Sequence, residues 1–268
     1  MLEYDALPNG YSCGHNLISG SGLLAAAGLS KVMKDLPGRL LVIGTPDEER
    51  GSLGGSKIAL LEGKHFDGSD VVLITHPGSS WSVDKPLLAM KRATFVFKGK
   101  AAHAAAAPEL GVNALDTPTM LDAYAKLINT AKAAALAAGA TMEYKPPRTE
   151  LLSPVMVTEY VDLVARNIKQ AGVPADELIK DAQPLGSSDL GNVGHAYPTV
   201  NIMFKVAPKN VALHEDAMLR YTLPDNGWDA TVLAAKAIAL SAHELLNEPE
   251  KTKRIVQKFK EMKAAEGK

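Results

Sequence analysis

The chain has 268 residues, enough to bury a sizeable core in one large domain or in a main domain with a smaller one. Its 46% hydrophobic and 22% charged residues are ordinary for a globular protein, and a net charge of -1 supplies no field for nucleic acid or anionic lipid, so a small-molecule partner is expected. A lone cysteine, Cys13, excludes an intrachain disulfide; residues 1–5 lack the features of a signal peptide and no apolar run approaches the roughly 20 residues that span a bilayer, so no membrane partner and a cytoplasmic location are expected.

Residues 1–16 are rich in Gly, Pro, Asn and Ser and read as loop. A helix is expected over 17–34, stopped by Pro37-Gly38. Leu40-Leu41-Val42-Ile43 then form a short apolar run ending at Gly44, the pattern of a strand buried on both faces of a parallel sheet. Asp47, Glu48 and Glu49 follow at its carboxyl end, where ligands of open α/β sheets gather. Adjacent carboxylates beside a core repel and are costly to desolvate, and a polyvalent cation is the simplest compensation. A glycine-rich turn at 51–55 precedes a helix over 56–62. A second buried strand over 70–75 ends in His76-Pro77-Gly78, and strand–helix–strand order predicts a parallel, right-handed pair that brings His76 to the edge occupied by Glu48 and Glu49.

From 87 to 98 the pattern turns to alternation, as in a half-exposed strand. An Ala-rich helix is expected over 118–139 and a strand over 141–144, with Lys145-Pro146-Pro147 as a boundary. Helices over 154–172 and 174–181, a glycine-rich loop over 185–192, a strand over 198–204, a helix over 229–246 and a charged helical tail complete the chain. In the tail, Ile255, Val256, Phe259 and Met262 make a one-sided stripe.

Cys13, His15, Glu49, His76 and His214 stand out as metal ligands. Cys13 and His15 are two apart, so an extended backbone points both side chains the same way. Thiolate, imidazole and carboxylate together suit Zn²⁺ or a similar first-row ion, with metal–N and metal–O distances of roughly 2.0–2.2 Å. A rival scheme, a cysteine hydrolase using Cys13 with a histidine, leaves Glu48 and Glu49 unexplained. His65, His195 and His243 read as ordinary structural or surface residues.

Six ordered stretches resemble the M20 metallopeptidase family, in particular its amidohydrolase branch of aminobenzoyl-glutamate hydrolases and M20-domain dipeptidases. They are Glu3-Tyr4-Asp5-Ala6-Leu7-Pro8, Cys13-Gly14-His15-Asn16, Gly44-Thr45-Pro46-Asp47-Glu48-Glu49, Thr75-His76-Pro77, Gly99-Lys100-Ala101-Ala102-His103-Ala104 and Ser187-Ser188-Asp189-Leu190-Gly191-Asn192-Val193. The resemblance implies a two-metal site, with Zn or Mn and Co as a further candidate, held by Cys13, His15, Glu49, His76 and His214. It implies Glu48 as general base, Asp5 as a carboxylate orienting the site, and His103 as the group that stabilises the oxyanion from a lid, often across a dimer interface. Ser187, Ser188 and Asp189 are candidates for contact with the substrate's carboxylate or amine, or equally for a turn that caps neighbouring structure.

The expected architecture is α/β, a largely parallel central sheet flanked by helices as in the zinc exopeptidases, with a reduced α+β lid. Residues 1–89 and 146–268 would form the catalytic metal-binding part and 90–145 the lid. Relatives carry a substantial segment before the motif that starts here at Glu3, and a lid with two helices on a four-stranded sheet, whereas only about 25 residues separate Asp116 from Thr141. The expected function is metal-dependent hydrolysis of an amide in a small N-acyl amino acid or dipeptide-like substrate. The competing expectation is an impaired relative that binds metal or ligand without turnover.

Overall fold

The structure, a computed structural model, describes residues 1–49, 55–83, 85–91, 94–102, 110–112, 124–145, 149–179, 183–184 and 186–266. The chain divides into two compact units, Met1–Met90 with Leu151–Lys268, and Lys91–Glu150.

The first unit is built on parallel strand pairs. Strand β1 (Leu2–Glu3) pairs with β2 (Gly44–Thr45), Leu2 opposite Gly44 and Glu3 opposite Thr45. Strand β3 (Val72–Gly78) pairs with β6 (Thr199–Lys205) in register from Val72 opposite Thr199 to Gly78 opposite Lys205. Both members of the second pair are largely buried, as continuous apolar runs of a covered parallel sheet require. Helices α1 (His15–Ser30), α4 (Thr158–Gln170) and α7 (Pro224–Asn247) pack on this pair. Each turns an apolar stripe inward: Leu17, Ile18, Ala25 and Leu29 from α1, Tyr160, Leu163, Val164 and Ile168 from α4, and Ala234, Ala235, Ile238 and Leu245 from α7. The buried Tyr160 hydroxyl donates to the Val72 carbonyl at 3.0 Å and ties α4 to the start of β3.

Short helices α2 (Ser56–Glu62), α5 (Leu190–Ala196) and α6 (Asp216–Leu219) surround the strand ends. The tail forms α8 (Pro249–Glu266), which buries Ile255 and Phe259 and leaves Met262 exposed, so its apolar stripe is one turn shorter than the sequence suggests. The second unit pairs β4 (Thr94–Lys98) antiparallel with β5 (Thr141–Lys145), and between them lies α3 (Tyr124–Ala137). The strand expected near 93–98 forms over 94–98 and is half-exposed, but its three central residues are all partly buried and the in–out alternation falls on its partner β5; 118–123 of the expected helix lie outside the described residues.

Several expectations need correction. The run 40–43 is not a buried strand: only Gly44 and Thr45 enter a ladder, because β1 offers two residues to pair with, and Leu41 and Val42 stay 37% and 47% exposed. These side chains line an apolar cavity of about 650 Å³ shared with Leu29, Phe66, Ile238 and Leu245. β2 and β3 are not partners of each other; each takes its neighbour from elsewhere in the chain. No helix forms over 174–179, because Leu178 bridges to Trp81 and the Ile179 amide donates to the Trp81 carbonyl. The glycine-rich stretch ends in α5, which starts at Leu190. No helix among the described residues is long and apolar enough to cross a membrane.

Candidate metal centre

The site assembles at the carboxyl ends of the strands from segments far apart in sequence. Gly14 stands at the head of α1 with φ +79°, a left-handed conformation, and a Cβ there would run into the Pro77 ring. Glycine thereby lets the 11–14 turn press against the end of β3 and brings Cys13 and His15, both buried, beside His76. His214 arrives from the opposite end of the chain, also in the left-handed region at φ +72°, held by its amide on the Ser12 carbonyl at 3.0 Å and by Asn9 on its own carbonyl. Asp47, just before the acids, has φ +69°. Two non-glycine residues in this sparsely populated region, both at one site, mark a backbone bent to deliver side chains.

The Cys13 sulfur lies 3.5 Å from His76 Nε2 and 3.3 Å from His214 Nε2. Glu49 Oε1 lies 3.4 Å from His214 Nε2 and 3.7 Å from His15 Nε2. His15 Nε2 also faces Glu48 Oε2 at 3.9 Å and Glu3 Oε2 at 3.5 Å. On the far side of that ring, Nδ1 sits 2.6 Å from Asp5 Oδ1, in contact but angled off a hydrogen bond. His76 Nδ1 donates to the Pro77 carbonyl at 2.8 Å, which fixes the tautomer and leaves Nε2 as a free lone pair facing the sulfur. Burial holds the His76 pKa below its ordinary value, which keeps the ring neutral and able to ligate.

Among the described residues, three sets of donors lie close enough together to hold a cation: Cys13, His15 and His76; Cys13, Glu49 and His214; and His15, Glu48 and Glu49. Several atoms in this space are buried without a hydrogen-bond partner, among them His15 Nε2 and Glu49 Oε1. Each such orphan costs about 1–3 kcal/mol unless something satisfies it. Divalent cations fit, since they provide the missing partner for nitrogen, sulfur and oxygen donors together.

Electrostatics separates the groups by role. Burial, reinforced by Glu49 and Glu48, pushes the Cys13 thiol far up, the opposite of what an activated cysteine nucleophile needs. A cation bound to the sulfur reverses that sign, so the thiol belongs with metal ligation. Glu48 is raised to about 7, by burial first and by Glu3 next, while the Ser188 hydroxyl, bonded to it, pulls the other way.

The structure thus brings together Cys13, His15, Glu49, His76 and His214, with Glu48 and Asp5 at their margin. Ser188 meets Glu48, and Ser187 is exposed. Asp189 differs from its expected substrate-facing place: it is wholly buried, and its carboxylate takes the backbone amide and the ammonium of Lys57. His103 lies outside the described residues. Lys57 and Glu3 have no place in the sequence-level site. The available signal was a lysine two residues beyond the glycines that follow the acids, and an acid opening the Glu3-Tyr4-Asp5 stretch.

Comparison with known proteins places this geometry. The model of peptidase family M20/M25/M40 matches residues 3–225. The human Xaa-Arg dipeptidase is 29% identical over 322 aligned positions, covering 97% of this chain and 72% of that protein. That span exceeds the chain's own length, so the relative carries internal stretches without a counterpart here. A p-aminobenzoyl-glutamate hydrolase polypeptide of Escherichia coli K12 is 36% identical over 124 residues, 45% of this chain and 25% of that one. Among solved structures, Bacillus subtilis YXEP, described as a dinuclear metal binding peptidase from the M20 family, shares the fold with a TM-score of 0.62 at 17% identity, covering 91% of this chain and 80% of its own.

Proposed function

This chain belongs to peptidase family M20/M25/M40, and on that premise we propose that it cleaves, with bound metal, an amide bond in a small N-acyl amino acid or dipeptide-like substrate. The observation that carries this reading is the convergence of Cys13, His15, Glu49, His76 and His214 on one space lined by buried, unpartnered donor atoms. These five residues would hold two divalent ions, Zn²⁺ or Mn²⁺, with Co²⁺ as a substitute. Bound there, such ions supply the Lewis acidity that makes a water nucleophilic near neutral pH and polarises the scissile carbonyl.

The protein's own groups do the rest. Glu48 stands beside the ligand cluster, 3.9 Å from His15 Nε2, and is the base that takes the water's proton and later gives it to the leaving amine. The Ser188 hydroxyl holds the Glu48 carboxylate in place. Asp5 backs the His15 ring, as carboxylates behind ligating imidazoles do. Ser187, exposed and next to Ser188 in the chain, is assigned contact with a polar end of the substrate. His103 is assigned the oxyanion and residues 90–145 the lid, by the family resemblance; the cytoplasm is the proposed location.

The test is metal content together with amine release from a panel of N-acyl amino acids and dipeptides, with a chelator control. Two ions per chain and chelator-sensitive release are expected. Fewer than one Zn, Mn or Co per chain after loading overturns the metal assignment. Full loading without turnover makes the chain a metal-binding relative that has lost catalysis.

A further inference from the structure

One charged group has no task in that mechanism. Lys57, in the first turn of α2, is fully buried. Its ammonium lies 2.9 Å from Glu3 Oε1 and also pairs with Asp189 Oδ1. Asp189 Oδ2 accepts the Lys57 backbone N–H at 3.1 Å, and Gly55 makes room for this carboxylate, since a Cβ on Gly55 would collide with it. Burial alone would strip the ammonium of its proton, but Glu3, Asp189 and Glu48 outweigh it and hold the pKa up. With Glu3 Oε1 taken by Lys57, the other oxygen is left buried, without a hydrogen bond, 3.5 Å from His15 Nε2.

We propose that Lys57 is a positioning residue whose ammonium fills a third cation place beside the two metal places, pinning Glu3 under His15 and keeping Glu3 and Asp189 out of the ligand set. This rests on the metallohydrolase reading. Three carboxylates, Glu3, Glu48 and Asp189, surround the ammonium behind the ligands. Without it they would repel one another in a closed space, and a further divalent ion would be drawn in to replace it. A fixed organic cation prevents this, because its single charge is shared between Glu3 and Asp189 and offers no open coordination position to substrate or water as a metal does. Glu3 then presents one oxygen, in one orientation, next to the nitrogen that His15 offers to the site.

The experiment counts Co²⁺ per chain by equilibrium dialysis and records its visible absorption for the wild type, Lys57→Ala, Glu3→Gln and the double variant, alongside kcat and KM. The wild type is expected to take two ions. Lys57→Ala is expected to take a third, with an altered cobalt spectrum and kcat lowered roughly 10–100-fold at a KM within about twofold of wild type. Glu3→Gln added to Lys57→Ala is expected to return the count to two, since the third place has then lost a carboxylate. Two ions and a wild-type spectrum in Lys57→Ala overturn the proposal. If Lys57→Ala does not fold, Glu3→Gln decides, a shifted spectrum with lowered kcat supporting it and wild-type values overturning it. A wild type that takes up no cobalt overturns the metallohydrolase reading with it, whereas an active two-cobalt wild type beside unaltered variants overturns the Lys57 assignment alone.

Discussion

Glu48 and Glu49 are neighbours in the chain, and their side chains diverge into different surroundings. Glu49 reaches His214 and His15, while Glu48 stands against Ser188 and the field of Glu3. Glu48→Gln should therefore keep both ions yet lose about 10²–10⁴ in kcat, the usual worth of a general base, measured as amine release at full metal loading. Glu49→Gln should lose metal first. The metal-free protein offers a second readout at Glu48. An acid whose pKa rises from 4.5 to about 7 on folding binds more protons when folded, so its contribution is fully present below 4.5 and is lost as pH rises through 7. Denaturant midpoints of the metal-free protein should fall between pH 5 and 7, and Glu48→Gln should flatten that slope. Gly14→Ala should cost at least about 1–2 kcal/mol for the left-handed backbone alone, with more from Pro77, and a thermal melt would register it. The ligand types were legible in the sequence because Cys, His and paired acids are rare and chemically distinct. Lys57 was not, since a lysine in a helix ordinarily faces water and nothing local announces burial.

At the scale of elements, long patterned segments were readable and short apolar ones were not. α4 and α7 follow their 3.6-residue stripes, because each buries one face whatever its neighbours do. Whether a run such as 40–43 is covered depends on how many residues the neighbouring strand supplies, which is a property of a distant segment. Charges fasten the last helix. Glu159 on α4 takes Lys258 and Arg254 of α8, and Glu244 on α7 takes Lys251 along with Arg166 and Asn167. Hydrogen bonds from Lys258 and Arg254 hold Glu159 below the ordinary carboxylate range; at Glu244 burial pulls upward, but the bonds from Lys251, Asn167 and Arg166 prevail. Acids lowered on folding stabilise the fold above about pH 4.5 and lose that contribution as pH falls through their folded values. Protection of the α8 amides from hydrogen exchange, relative to their intrinsic rates, should fall as pH drops from 5 towards 3. Glu159→Gln with Glu244→Gln should remove most of that acid sensitivity and leave exchange in α1 unchanged.

For the whole molecule, ions that bind the folded state and leave the unfolded chain alone raise its stability by mass action, by about 2.7 kcal/mol at a hundredfold excess over Kd. Chelation should accordingly lower the melting temperature, and restoring Zn²⁺ or Mn²⁺ should raise it in proportion to the logarithm of concentration; a melt indifferent to both would speak against a metal held by the fold. The α/β class and the set of residues meeting at the site could be read from ordered motifs. The three-dimensional meeting itself rests on contacts such as the His214 amide on the Ser12 carbonyl, which spacing alone does not reveal.

That contact joins positions some two hundred residues apart, and it ties completion of the proposed metal centre to the late part of the chain. Cys13, His15, Glu49 and His76 leave the ribosome early, but His214 closes the ring only once β6 has docked on β3. In refolding with Co²⁺ present, the spectrum of the ion that needs His214 should therefore develop after that of the ion held by Cys13, His15 and His76, and a chain ending before His214 should take up only the latter.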